Sequence, residues 1–177
     1  MKNFCQLTLD PNTANYQLSL SEGNRVVELV NKVLYYPDHP DRFSHVYQVM
    51  CSEATSTRCY WEVEWSGNVF IAVSYKGLKR KGNDTDAVLG FNPNSWALHC
   101  YSSGLRFYHN NKKTDLPHAQ ISSRIGVYVD HRAGTLSFYS VNADTVTLLH
   151  KVETTFTEPL YPAIWLRDYG HQIKLCQ

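Results

Sequence analysis

Eight histidines and several closely spaced acidic residues are the first places in this sequence where chemistry could reside. Asp130 precedes His131 directly, and Asp168 stands three residues before His171, so either pair could supply the base and orienting carboxylate of a Ser-His-Asp system. Neither is accompanied by a GxSxG elbow or another nucleophile context, and both read as turn and surface histidines. Glu62 and Glu64 are paired carboxylates, but two positions apart on an extended chain they face the same way, which favours cross-strand charge pairs over acid-base work. The five cysteines, Cys5, Cys51, Cys59, Cys100 and Cys176, contain no CxxC pair. The Cys and His positions lack the close spacings that zinc sites need. No Gly-rich phosphate cradle is present. The sequence therefore gives no catalytic residues, no metal site, no cofactor and no small-molecule substrate.

Two further groups are suited to binding. Lys76, Lys79, Arg80 and Lys81 form the most conspicuous charge cluster, which could contact an anion, RNA or lipid headgroups. Asp84 and Asp86 offset half of that charge, so a solvated loop is the favoured reading. Asn83-Asp84-Thr85 is a glycosylation sequon, relevant only to an exported protein. Tyr35, Tyr36, Trp96, His99, Tyr101, Tyr108, Trp165 and Tyr169 lie at or near the ends of expected strands. Most are expected in the core. Those on loops are candidate contact residues, because an aromatic side chain offers large contact area at low entropic cost.

The elements that must position these residues are strands. In RIGVYVDHRAGTLSFYSV, from Arg124 to Val141, two runs of period-two alternation flank a short Gly-containing loop, which predicts a β-hairpin. In YWEVEW, Trp61 and Val63 share one face, and Tyr60, Glu62 and Glu64 the other. Strands are expected over 58–65, 69–75, 87–91, 96–101, 105–109, 124–130, 135–141, 146–152, 160–166 and 171–176, and three shorter ones at QLSL, 26–30 and 43–51. Such spacing without a helical period predicts an all-β fold, a two-sheet antiparallel β-sandwich, with Trp61 and Phe138 buried. With 177 residues and 43% apolar content the chain suits one domain. Its formal charge of +1 argues against a dedicated nucleic-acid binder. An odd, dispersed set of cysteines points to reduced thiols in a cytosolic protein. The N-terminus has no apolar segment of the signal-peptide kind, and no apolar run is long enough to span a bilayer as a helix.

YWEVEW, GVYVDHRAGTLSFYSV, the opening LTLDPNTAN and the late FTEPLYPAIW occur in an order and spacing that resemble the PRY-SPRY domain. The likeness runs from Cys5 to Cys176, with a PRY part at about 1–57 and an SPRY part at about 58–177. It implies a non-enzymatic recognition module at the C-terminus of a larger protein, its partner a protein or pathogen ligand met by variable loops at one end of the sandwich. By motif register the implied contact residues are Tyr36, Asp38 and Arg42, Lys76, Lys79, Arg80 and Lys81, His99 and Tyr101, and Arg167, Asp168 and Tyr169, with Tyr101, Arg167 and Tyr169 as anchors. Where the family's antibody-binding member carries tryptophans this chain has His99 and Tyr101, so that ligand is not carried over. SYKGLKRKG and HNNKKTDLP look most like fish versions of the domain. The implied parents are a cytoplasmic innate-immune tripartite-motif ubiquitin ligase or receptor or, as an alternative, a secreted pore-forming toxin in which the domain would serve assembly or attachment. RNA or anionic-lipid binding through the basic loop is a third expectation. Oligomeric state is left to the domains expected upstream.

Overall fold

Alternation of apolar and polar residues, with β-branched and aromatic side chains on the inward positions, lets strands of this chain bury one face and close a sandwich. The structure, a computed structural model, describes residues 4–117 and 121–176, so the outermost residues of the expected domain bounds lie outside it. In chain order the strands are β1 (Leu18–Ser21), β2 (Val26–Leu29), β3 (Gln48–Met50), β4 (Arg58–Trp65), β5 (Val69–Ser74), β6 (Ser95–Tyr101), β7 (Gly104–His109), β8 (Lys112–Asp115), β9 (Arg124–Asp130), β10 (Thr135–Val141), β11 (Val146–Glu153), β12 (Tyr161–Leu166) and β13 (Gln172–Leu175). They form a seven-stranded sheet, β1-β2-β13-β4-β9-β10-β11, and a six-stranded sheet, β3-β12-β5-β6-β7-β8. Every pairing between named strands is antiparallel.

The expected hairpin is β9–β10, and its turn closes where Gly134 takes φ +73°. A side chain there would also run into the Thr154 carbonyl. Trp61, Val63, Val127 and Phe138 from one sheet and Ile71, Leu98, Phe107 and Ile164 from the other meet in the buried interior. Trp61 and Phe138 are both buried, as the alternation requires. Glu62 and Glu64 both pair with Arg124 on the neighbouring strand β9. Tyr60 faces outward with them yet is fully buried, because Phe4 packs edge-on against its ring and Gly126 leaves room beneath it.

Several expectations need correction. Residues 87–91 are not a strand: a single 3-10 turn, Thr85–Ala87, leads into irregular chain. Their apolar alternation is real, but Ala87 and Leu89 dock on the outer face of the six-stranded sheet. The Gln48 side chain supplies the hydrogen bonds a neighbouring strand would have made, donating to the Ala87 carbonyl (2.7 Å) and accepting from the Leu89 amide (2.9 Å). The strand expected at 43–51 shrinks to β3, since Phe43 and Val46 belong to the same outer cluster. The strand β8 is polar and fully exposed, and carries no apolar alternation to announce it. The five cysteines are not all thiols: Cys5 is joined to Cys59, 54 positions away, because the N-terminal segment runs alongside β4. Cys51, Cys100 and Cys176 are free.

Candidate functional site

Because side chains repeat every second residue along a strand, those in register on adjacent strands form rows across a sheet. On the outer face of the six-stranded sheet one row reads Trp165, Phe70, His99, Arg106, with Asp115 at the edge. The Trp165 and Phe70 rings stack at 4.3 Å between centroids, and Phe70 stacks on His99 at 4.2 Å. Two residues back along the strands is a row of small side chains, Ala163, Ala72 and Ala97, ending on Tyr108. The loop from Leu78 to Leu89 and the side chain of Phe43 pack on this alanine row and roof it. Phe91 closes the boundary by stacking on Tyr108 at 5.2 Å. Two residues the other way lie Arg167, Asn68 and Tyr101, at the strand ends. Of these Arg167 is exposed, and Asn68 and Tyr101 are half-buried.

The aromatic row is a floor and not itself the exposed surface: Phe70 is 1% exposed and Trp165 9%. Arg167 lies across the Trp165 ring with its guanidinium carbon 4.5 Å from the centroid. Arg106 lies 5.4 Å from the Tyr101 centroid, and its Nε donates to Asp115 at 2.9 Å. His99, 9% exposed, donates from Nε2 to Asn68 Oδ1 at 2.6 Å. Its Nδ1 has no hydrogen-bond partner among the described residues. Burial, together with the charges of Arg167 and Arg106, lowers the imidazole to about 4, so it is neutral at neutral pH. Tyr169 is 50% exposed, and its phenol, hydrogen-bonded to Tyr47 and Gln17, is held below the ordinary tyrosine range. Asp168 lies 3.8 Å from His171 Nδ1.

His99, Tyr101, Arg167 and Tyr169 thus come together at one end of the six-stranded sheet. Asp168 stays with them in the same loop, but the expected contact residues at 36–42 and 76–81 do not join them. Ser74, the last residue of β5, is opposite Tyr161 and Ser95, so Lys76 starts at the far end of the sheet. Its loop then crosses the outer face and knits to residues 36–42: Lys81 meets Asp38 at 3.1 Å, and Arg80 donates to the Asp41 carbonyl. Lys79 pairs with Asp84 at 2.6 Å, which accounts for the charge of that lysine. Arg80 also donates to the carbonyls of Leu78 and Lys76 and lies over Phe43. Arg42 is 1% exposed, and its guanidinium donates to the carbonyls of Pro37, Pro11 and Ala14. Tyr36 donates to the Leu18 carbonyl and lies against Arg42. Arg42, Arg80 and Tyr36 therefore hold loops in place.

Phe70, Asn68, Tyr47 and Arg106 were not singled out from the sequence. Trp165 was grouped with the aromatics but not with the contact residues. Trp165, Phe70 and Arg106 share a row, and Asn68 lies beside it, only through strand register, which a single sequence does not display. Among the described residues no group of three or more His, Cys, Asp or Glu side chains is placed to hold a metal ion. No helix among them is long and apolar enough to cross a membrane.

A two-sheet antiparallel sandwich is the fold that the resemblance implies. Residues 7–55 match the family model for PRY, the SPRY-associated domain, and residues 58–177 match that for the SPRY domain; the chain belongs to the PRY-SPRY family. Stonustoxin subunit beta of Synanceia horrida is 47% identical over 173 residues, covering 96% of this chain and 24% of the toxin subunit. Tripartite motif-containing protein 16 of Mus musculus is 36% identical, covering 97% of this chain and 31% of that protein. Among solved structures, the stonustoxin structure superimposes with a TM-score of 0.86 at 45% identity, over 97% of this chain and 27% of that one. The TRIM65 PSpry crystal structure does so with 0.89 at 30% identity, over 99% and 91%. The chain therefore spans about a quarter to a third of the curated relatives named here.

Proposed function

We propose that this chain is a non-enzymatic protein-recognition module and that its partner docks on the open end of the six-stranded sheet. The observation that carries this reading is the juxtaposition of Arg167, Tyr101 and Tyr169 around the stacked Trp165-Phe70-His99 floor. Interface energy concentrates in a few Tyr, Trp and Arg residues set on rigid, desolvated surroundings, and here a cross-strand stack immobilises the groups beneath them. Asp168 belongs to the same loop and lines its rim. The loops at 36–42 and 76–81 support the outer face and are not assigned contact roles. The internal pairing of Lys79, Arg80 and Lys81 disfavours RNA or anionic lipid as the ligand, because phosphate binding needs uncommitted charge.

The test is a pull-down with the wild-type chain and with Arg167→Ala, Tyr101→Ala and Tyr169→Ala, each checked for an unchanged melting temperature. Loss of the same partner with these substitutions supports the site. Retention of every partner by all three places the binding face elsewhere.

For the parent protein, two readings follow from the relatives. A tripartite-motif ligase would use the module to choose its target in the cytoplasm. A toxin subunit would use it for assembly or attachment outside the cell. The second is favoured by the 47% identity to stonustoxin subunit beta and by the Cys5–Cys59 bridge, which fits an oxidising compartment. The coding sequence upstream of Met1 decides between them: a RING, B-box and coiled coil supports the ligase, and a pore-forming region supports the toxin.

A further inference from the structure

The floor rings of the site, Phe70, Trp165 and His99, are covered, and guanidinium groups lie beside the aromatic rings: Arg167 on Trp165, and Arg106 beside Tyr101. A guanidinium laid against a ring keeps its N–H edge in the plane and directed sideways, five donors in a fixed fork with no acceptor. At the same end of the sheet Tyr101 lies against His99 at 4.6 Å, and Tyr169, in the loop after Arg167, lies 6.4 Å from the Tyr47 ring. His99, between the two arginines, is kept uncharged, so the cation density comes from the arginines alone.

Of the nearby carboxylates, Asp115 takes the Nε of Arg106, and Asp168 stands 3.8 Å from His171 Nδ1, too far for a hydrogen bond. Among the described residues no salt bridge reaches Arg167. The fork is therefore pre-oriented and rigidly backed, and lacks the anion it is shaped to receive.

Building on the recognition role proposed above, we infer that the partner presents an acidic segment, with an Asp or Glu carboxylate seated in the Arg167 fork and Arg106 adding to the field. Flanking backbone or side-chain oxygens of the segment would accept from Tyr101 and Tyr169. This complementarity is specific to donor-rich edges; a basic or purely apolar segment would leave those donors desolvated and unpaired.

The test uses random twelve-residue peptides displayed on phage and selected on the immobilised chain, with elution by the free chain. The expected outcome is enrichment of Asp and Glu. The affinity of a selected peptide should fall about tenfold or more with Arg167→Ala, as it should when its acidic residue becomes the amide, in keeping with a charge-assisted bidentate contact. Arg167→Lys should restore only part of it, because the point charge remains and the fork does not. Affinity should also drop as salt is raised. Selected peptides that require Tyr101 and Tyr169 but no Asp or Glu overturn the acidic inference and leave the recognition site standing. Peptides indifferent to Arg167, Tyr101 and Tyr169 overturn both. A selection that yields nothing overturns the inference, which names a linear acidic segment, while the pull-down still judges the site.

Discussion

Arg42 looks in sequence like one more surface cation on a binding loop, and removing it separates structural from contact roles. Its guanidinium makes four hydrogen bonds to three carbonyls, those of Pro37, Pro11 and Ala14, at 2.7–3.1 Å. Its carbon lies 5.0 Å from the Tyr36 ring centroid and 5.4 Å from that of Tyr16. In Arg42→Ala the Ala14 carbonyl, reached through a buried hydrogen bond, loses its partner at a cost of roughly 1–3 kcal/mol. The Pro11 and Pro37 carbonyls are nearer solvent and rehydrate, so each adds about 0.5–1 kcal/mol. Loss of the side-chain stem against two tyrosines adds about 1 kcal/mol more. A total of about 3–6 kcal/mol corresponds, for a chain of this size, to a fall of roughly 10–15 °C in melting temperature. Arg42→Lys should recover little, since one ammonium cannot span three carbonyls. Differential scanning calorimetry of the three proteins is the assay. A melting temperature within about 2 °C of wild type in Arg42→Ala, combined with lost partner binding, would refute the reasoning and return Arg42 to the interface.

Trp61→Ala and Phe138→Ala should each cost about 3–5 kcal/mol, because both are large side chains in the packed interior, and insoluble or molten protein is the expected result; an unchanged urea midpoint would contradict it. Gly126→Ala drives a methyl into the ring of the fully buried Tyr60 and should lose about 1–3 kcal/mol in urea titration, with Gly126→Ser no better. For His99 the sign is fixed by its folded value of about 4, below that of an unfolded histidine: the unfolded chain takes the proton first, so stability is lost as pH falls from about 6.5 towards 4 and levels off below. His150 is also lowered by burial and acts in the same direction. The measurement is therefore the difference between wild type and His99→Phe, whose midpoint should fall less steeply across that window; equal slopes would show that His99 contributes nothing. Substituting Lys79, Arg80 and Lys81 together by Glu should leave weak, salt-sensitive RNA or phosphatidylserine-vesicle binding unchanged if it occurs at all, while lowering the melting temperature through Arg80; binding abolished in a well-folded variant would revive the basic-loop reading.

The sheet architecture was legible because strand burial writes itself as period two. YWEVEW and the β9–β10 hairpin carry both the alternation and a turn with Gly134, and their faces came out as read. The same logic misread Ala87 to Phe91. Its alternation arises from docking on a sheet's outer face, and the partner that satisfies its backbone is the side chain of Gln48, which period counting does not detect. At β8 the failure is the opposite: a polar edge strand pairs through its backbone with β7 and needs no apolar residue. The pairing of Cys5 with Cys59 was likewise invisible, since it depends on the N-terminal segment lying along β4.

The site was partly legible for a related reason. Motif register grouped His99, Tyr101, Arg167 and Tyr169 with Arg42 and Arg80 as contact residues and passed over Arg106. Arg42, Arg80, Arg106 and Arg167 have the same side chain, yet three of them face backbone carbonyls or a neighbouring carboxylate of this chain. An arginine enclosed by carbonyls contributes cohesion, and substituting it changes stability first. Arg167 is set on the Trp165 ring and, among the described residues, is reached by no salt bridge, which leaves its N–H edge open for the contact proposed above. What a guanidinium lies on and what already occupies its N–H edge are facts of strand register, established only when residues about thirty to a hundred positions apart, Asn68, His99 and Trp165, come side by side.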